Sequence, residues 1–193
     1  AHPLDQFYLE LTYGCNTRLA DMEMKASDLN QEVTFGGLIT SYEEKEARSG
    51  NKYGKIVIED YTGKYDLMLF GNNYIEYNKF GIKGLAIMVK GVFRKGRFND
   101  RISFNIASIT PLDEVKGKLL SNLTIQVPED RFADLSPLKE TMTESTENRC
   151  NLNFRIFTND RKHYVDMRSQ YKIPINKQVL KKLESMEMEF SIN

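Results

Sequence analysis

Two histidines, two cysteines and no tryptophan leave little from which to assemble a catalytic centre. His2 and His163 lie far apart, and neither falls in an HExxH or similar spacing. A solitary histidine on a strand, as His163 reads, is usually structural. The chain has no GxGxxG opening a helix, no GxxxxGK[ST] and no GxSxG, so dinucleotide, P-loop and serine-hydrolase chemistry lose their usual handles. Cys15 and Cys150 match no CxxC spacing, which argues against structural zinc, a redox dithiol or a disulfide framework and for a reducing cytoplasm. The adjacent acids Glu59 and Asp60 would point to opposite sides of a strand, and Asp60, beside a turn, reads as a fixer of that turn. No enzyme activity, metal or cofactor is expected of these residues.

The chemistry that the residues do support is binding. Two polar loops bring cations and rings together: Arg48, Lys52, Tyr53 and Lys55 in the first, Arg94, Lys95, Arg97, Phe98 and Arg101 in the second. A single-stranded nucleic acid is held by a positive groove that follows its phosphates and by rings on which its bases stack. The opposing reading is that these cations solvate the surface while Tyr53 and Phe98 pack on a rim. Glu59 and Asp66 would share the binding face and repel phosphate, with Met68 offering an apolar platform.

Five predicted strands must position these loops. They run over Val33–Ala47, Lys55–Asp60, Lys64–Phe70, Leu85–Phe93 and Arg101–Thr110, short β-branched and aromatic runs between turn signals. Gly36-Gly37 marks a bend or bulge in the first, and Tyr61-Thr62-Gly63 a tight hairpin between the second and third. Tyr65, Leu67 and Leu69 are assigned to the core and Asp66, Met68 and Phe70 to the opposite face; Ile56 and Ile58 share a face. A short helix fits Asn73–Phe80. Three strands, a helix and two strands is the order of an OB-fold, a five-stranded Greek-key barrel whose 1–2 and 4–5 loops flank one groove. A five-stranded SH3-like barrel is the competitor, which the helix disfavours.

The period then changes. Asn122–Val127 reads as a strand and Asp134–Ser145 as a helix, capped by Asp134 or Ser136 with Pro137 in its first turn. Asn151–Thr158 and Lys162–Tyr171 form a hairpin. Asn176–Met186 is a helix with Asn176 as N-cap and Val179, Leu180 and Leu183 on one stripe, before a closing strand at Glu187–Ile192. The predicted fold is thus mainly β plus α+β: an acidic lead-in or linker at 1–32, an OB-fold domain at 33–115 and a small βαββαβ domain at 116–193. Linkers are expected at Ala26–Glu32 and Leu112–Lys118.

Charge follows the same divisions. The 193-residue chain has 27 cationic and 27 acidic side chains, yet residues 1–32 carry a net charge of minus four, residues 33–112 plus four, and the remainder zero. Basic surface is therefore local to the barrel. No apolar run approaches the roughly 20 residues that a membrane span needs. The start at Ala1-His2-Pro3-Leu4, with no initiator methionine and no signal-peptide pattern, suggests a processed chain or a piece of a longer one.

Several stretches resemble one family. His2-Pro3-Leu4-Asp5, Gly37-Leu38-Ile39, Gly50-Asn51-Lys52 and, most specifically, Ile58 through Phe70 are similar to the C-terminal part of the α subunit of bacterial DNA polymerase III. Leu123 to Val127, the Cys150–Phe157 strand, Ile173-Pro174-Ile175 and the ending Glu187-Met188-Glu189-Phe190 extend the resemblance over nearly the whole chain. It implies a noncatalytic region of a replicative polymerase whose metal-binding aspartates lie elsewhere. Its OB domain would lie on single-stranded template DNA, and its C-terminal domain would engage the τ subunit of the clamp loader. Two other readings stand beside it: a protein-interaction module without DNA affinity, and an RNA-binding OB domain of a class II aminoacyl-tRNA synthetase.

Overall fold

Alternation of apolar and polar residues drives the first sheet. The computed structural model describes residues 2–96, 100–141 and 149–193. Its strands are β1 (Glu32–Glu46), β2 (Lys52–Glu59), β3 (Lys64–Leu69), β4 (Ala86–Lys95) and β5 (Ile102–Pro111), all antiparallel, in the order β3-β2-β1-β4-β5. Ile56 and Ile58 of β2 and Leu67 and Leu69 of β3 are fully buried in one core with Val33, Phe35, Ile39, Ile87, Val89 and Ile109, and Tyr65 packs against it. β1 pairs with β4 over Glu32–Leu38 and with β2 over Leu38–Glu46, so one long strand serves both halves of the sheet. β3 and β5 are left as edges, but coiling brings the Tyr65 and Phe104 rings to 6.3 Å. The barrel is partly open at that seam, as the OB reading requires.

The glycines of β1 serve packing instead of the expected bend. Register runs unbroken through Gly36-Gly37, and the irregularity falls between Ile39 and Ser41. A Cβ on Gly37 would sit 2.6 Å from the Glu59 carbonyl oxygen, and one on Gly36 would sit 2.7 Å from Leu11. Both positions exclude a side chain because other chain segments cross there.

Leu11 belongs to the acidic lead-in, whose apolar Leu9, Leu11, Leu19 and Met22 among charged residues read as a short packed connection, and which is built into the first unit. A 3-10 turn at Pro3–Phe7 leads into α1 (Tyr8–Tyr13), and a second at Leu19–Asp21 leads into α2 (Met22–Lys25). Leu4, Phe7, Leu19 and Met22 are buried, and Ala26 and Leu29, expected in a linker, pack on the barrel core. The Asn16 and Thr17 amides donate to the Thr34 carbonyl, and the Leu19 amide to Asp60 Oδ2 at 2.9 Å. The compact unit therefore runs over Ala1–Lys116. α3 (Gly71–Tyr77) and a 3-10 turn at Asn78–Phe80 lie between β3 and β4, and α4 (Leu112–Val115) buries Leu112 in the predicted second linker.

The second unit, Gly117–Asn193, carries β6 (Asn122–Pro128), β7 (Arg149–Phe157), β8 (Tyr164–Pro174) and β9 (Glu189–Ile192) in the order β8-β7-β6-β9, with β6 and β7 parallel. Its core joins Leu123, Ile125 and Val127 to Leu152, Cys150 and the Val179, Leu180 and Leu183 stripe of α6 (Lys177–Ser185). Asn176 caps α6 by accepting from the Val179 amide at 2.9 Å. The helix predicted over Asp134–Ser145 is different. A 3-10 helix covers Glu129–Leu135 and α5 only Leu138–Thr141, while the part of the prediction over 142–148 lies outside the described residues. Neither proposed cap serves: Ser136 donates its hydroxyl to the Ala133 carbonyl, and Asp134 pairs with Arg131. Among the described residues no helix is long and apolar enough to cross a membrane.

Candidate nucleic-acid interface

β2 and β3 are joined by a hairpin that Asp60 fixes, as its place beside the turn predicts. Asp60 Oδ1 accepts from the Thr62 amide (2.6 Å), the Thr62 hydroxyl (2.7 Å) and the Gly63 amide (2.9 Å). Its neighbour Glu59 points elsewhere and meets Lys64 at 3.0 Å. The hairpin register sets Lys55 opposite Met68 and Val57 opposite Asp66 on the outer face. One step further along, the Tyr53 and Phe70 rings lie 5.3 Å apart at 30°. Phe70 is 58% exposed, so the pair presents an open aromatic surface.

Every cation predicted from the sequence except Arg97 has a definite place. Lys55 lies beside the aromatic pair but binds Asp66 at 2.6 Å. Lys52 binds Glu44 at 2.8 Å, and that carboxylate also accepts from the Tyr74 hydroxyl of α3, so alternation sends Lys52 away from Lys55. These two hydrogen bonds hold Glu44 below the usual carboxylate range. Arg48 is exposed in the turn after β1. Arg94 and Lys95 end β4, both exposed, with Lys95 at 2.9 Å from Asp100. Arg101 is exposed at the start of β5. Arg97 and Phe98 lie outside the described residues.

A groove of about 940 Å³ follows the open seam between β3 and β5. Arg101 and Ile102 line one side, Asp66, Met68 and Phe70 the other, and Phe104 and Tyr65 the floor. Phe70 therefore belongs both to the aromatic pair and to the groove. Lys52, Tyr53 and Lys55, predicted in or beside the first loop, lie in β2 because they pair with the long end of β1; Tyr53 and Lys55 share the outer face that Phe70 and Asp66 carry to the groove, from which Lys52 is turned away. Phe70 and Phe104 are functional candidates that the loop reading missed; the alternation of Asp66, Met68 and Phe70 on the outer face was the signal for the first.

The histidines and thiols do structural work. His2 caps the first turn, its Nδ1 accepting from the Leu4 amide at 3.2 Å, and the His163 backbone closes the β7–β8 hairpin with Thr158. Burial pushes the Cys15 thiol up to about 12 and the Cys150 thiol to about 11, which keeps both protonated.

A coiled antiparallel sheet of five strands, with a helix between the third and fourth, defines an OB-fold. The tRNA anticodon family model, described as "OB-fold nucleic acid binding domain", matches residues 33–112. Over a longer stretch the chain is similar to DNA polymerase III subunit alpha. It is 25% identical to the Haemophilus influenzae protein over 132 residues, 68% of this chain and 11% of that one. It is 26% identical to the Pasteurella multocida protein over the same shares, and 25% identical to the Borreliella burgdorferi protein over 76% of this chain and 13% of that one. The match thus spans about a tenth of the length of these relatives. Among solved structures, the mitochondrial single-stranded DNA binding protein Rim1 from S. cerevisiae aligns with 42% of this chain and 95% of its own at 22% identity, with a TM-score of 0.33.

Proposed function

We propose that this chain is a noncatalytic C-terminal region of a replicative DNA polymerase α subunit, acting in a bacterial cytoplasm, whose OB-fold holds single-stranded template. The observation that carries the reading is the Tyr53–Phe70 pair, its Phe70 exposed and its Tyr53 half-buried, set among the cations of the two predicted loops. Stacked bases gain about 1 to 3 kcal/mol each on such rings without regard to sequence, as a moving template requires. The similarity to DNA polymerase III subunit alpha supports the same reading from an independent side.

The second unit would tether the polymerase to the τ subunit of the clamp loader. What supports a protein partner there is β8, an edge strand whose Val165 and Met167 lie opposite the half-buried Ile156 and Phe154 of β7 and are exposed, Val165 at 62%. An exposed apolar edge strand is a ready template for another chain. Arg155 holds this edge to β7 through two bonds to Asp166, 2.7 and 2.8 Å, with its guanidinium 4.5 Å from the centre of the Tyr164 ring.

The test is fluorescence anisotropy of a labelled single-stranded oligonucleotide with the whole chain at two salt concentrations, beside duplex DNA and RNA, repeated with Arg94, Lys95 and Arg97 changed to alanine. Saturable single-strand binding that weakens with salt and in the variant supports the reading. Absence of binding by folded protein replaces it with the interaction module, and a marked RNA preference replaces it with the synthetase reading. For the tether, capture of purified τ should be lost on changing Val165 and Met167 to aspartate.

A further inference from the structure

Cations on a DNA-binding face ordinarily stand clear of acids, but those around the Tyr53–Phe70 pair do not. On the outer face of β1, β2 and β3, Lys45 meets Glu43 at 2.8 Å, Lys55 meets Asp66 at 2.6 Å and Lys64 meets Glu59 at 3.0 Å. The register places Glu43 directly opposite Lys55 on β1, and Asp66 two residue pairs along on β3, so Lys55 lies between two carboxylates. The Lys45 hydrogen bond and charge keep Glu43 below the usual carboxylate range, so it stays ionised. Three lysines and three carboxylates leave the face with no net charge.

Resting on the single-strand reading above, we propose that Glu43, Glu59 and Asp66 are specificity determinants that reject duplex DNA by cancelling the field of the neighbouring lysines. A duplex hides its bases and offers mainly its phosphates, one charge per roughly 1.7 Å of axis. A face without net charge gains nothing from that density, and the rigid duplex cannot steer its phosphates away from the carboxylates. A single strand is flexible and carries accessible bases. It stacks on Tyr53 and Phe70 and turns its phosphates toward Arg48, Arg94 and Arg101 at the loops. Exposed ion pairs of this kind contribute little to folding, so the carboxylates can be removed without unfolding the sheet.

The experiment compares the wild-type chain with E43Q, D66N and the double variant, using labelled oligothymidylate and a labelled duplex of equal length over a series of salt concentrations. Each unmasked lysine should steepen the duplex salt dependence by about 0.9 in log–log slope. The double variant should bind duplex about tenfold more tightly while single-strand affinity rises no more than about threefold, the difference between two added phosphate contacts and a pose already set by stacking. Lys55→Ala in the D66N background should abolish that variant's gain, and Asp66→Glu should keep wild-type selectivity. Equal gains for both DNAs, or none for either while circular dichroism shows intact folding, would overturn the proposal. Failure of the wild-type chain to bind any single strand is a separate outcome, which removes the underlying reading and the proposal with it.

Discussion

Removing the Phe70 ring isolates the stacking contribution from the electrostatic one. Phe70 is 58% exposed, so less than half of the roughly 1.5 to 3 kcal/mol that a fully buried phenylalanine contributes is at stake for folding, about 1 kcal/mol. For binding, one base loses its platform, and about 1 to 3 kcal/mol corresponds to a fall in affinity between about fivefold and 150-fold. Tyr53 stays in place but loses the partner 5.3 Å away, so the larger part of that range is expected. The assay is anisotropy with oligothymidylate, comparing Phe70→Ala, Phe70→Leu and Phe70→Tyr. Tyrosine should restore binding and leucine should not, because leucine supplies area without a π face. If Phe70→Ala binds as the wild type does while its urea midpoint confirms folding, the aromatic surface is not where bases go.

Other parts of the structure give further expectations. Asp60→Ala orphans the half-buried Leu19 amide and three donors in the hairpin turn, and should cost about 2 to 3 kcal/mol in urea unfolding; a loss under about 0.5 kcal/mol would refute the clamp. With thiols pushed up to about 12 and about 11, Cys15 and Cys150 should react with iodoacetamide at pH 8 far more slowly than a free cysteine, and become reactive on unfolding. Glu44, held low by Lys52 and Tyr74, favours the folded state above its unfolded pKa, and that contribution is lost as pH falls through its lower folded value. Its carboxyl carbon should titrate below the usual glutamate range by NMR, and Lys52→Ala should move it back up.

The barrel strands were legible because their period is two and their partners lie nearby. Leu67 and Leu69 alternate against Asp66 and Met68, and a hairpin of only a few residues fixes their pairing with Ile56 and Gly54. The lead-in carries no such period. Its elements are short helical segments held by distant groups, such as the Thr34 carbonyl and the Asp60 carboxylate, so its apolar residues gave no sign of which surface they would cover. The same limit applies to the site. Composition located both cationic loops, but which acid meets which lysine is set by register across strands. Lys55 and Asp66 are neighbours only because Val57 sits opposite Asp66, whereas Lys52, three residues earlier, faces Glu44 and Tyr74.

That pairing also bounds the affinity. With the lysines of the face compensated, attraction at a distance is small, and the proposed binding would rest on two rings at about 1 to 3 kcal/mol each together with the cations of the loops. A total near 4 to 8 kcal/mol corresponds to dissociation constants from about a millimolar to about a micromolar. On the proposed reading such a site would be nearly empty in dilute solution and would fill when a linker or a docked partner held the strand at an effective concentration near millimolar. Weak contact of this kind lets a strand slide, which tight binding would prevent. The whole chain should therefore bind a free oligonucleotide in the micromolar range or weaker at physiological salt, and covalent attachment of that oligonucleotide through a flexible linker should bring the site to near saturation. Nanomolar affinity for the untethered strand would mean that the compensated lysines engage phosphate after all, and that the balance of charge on this face has been misread.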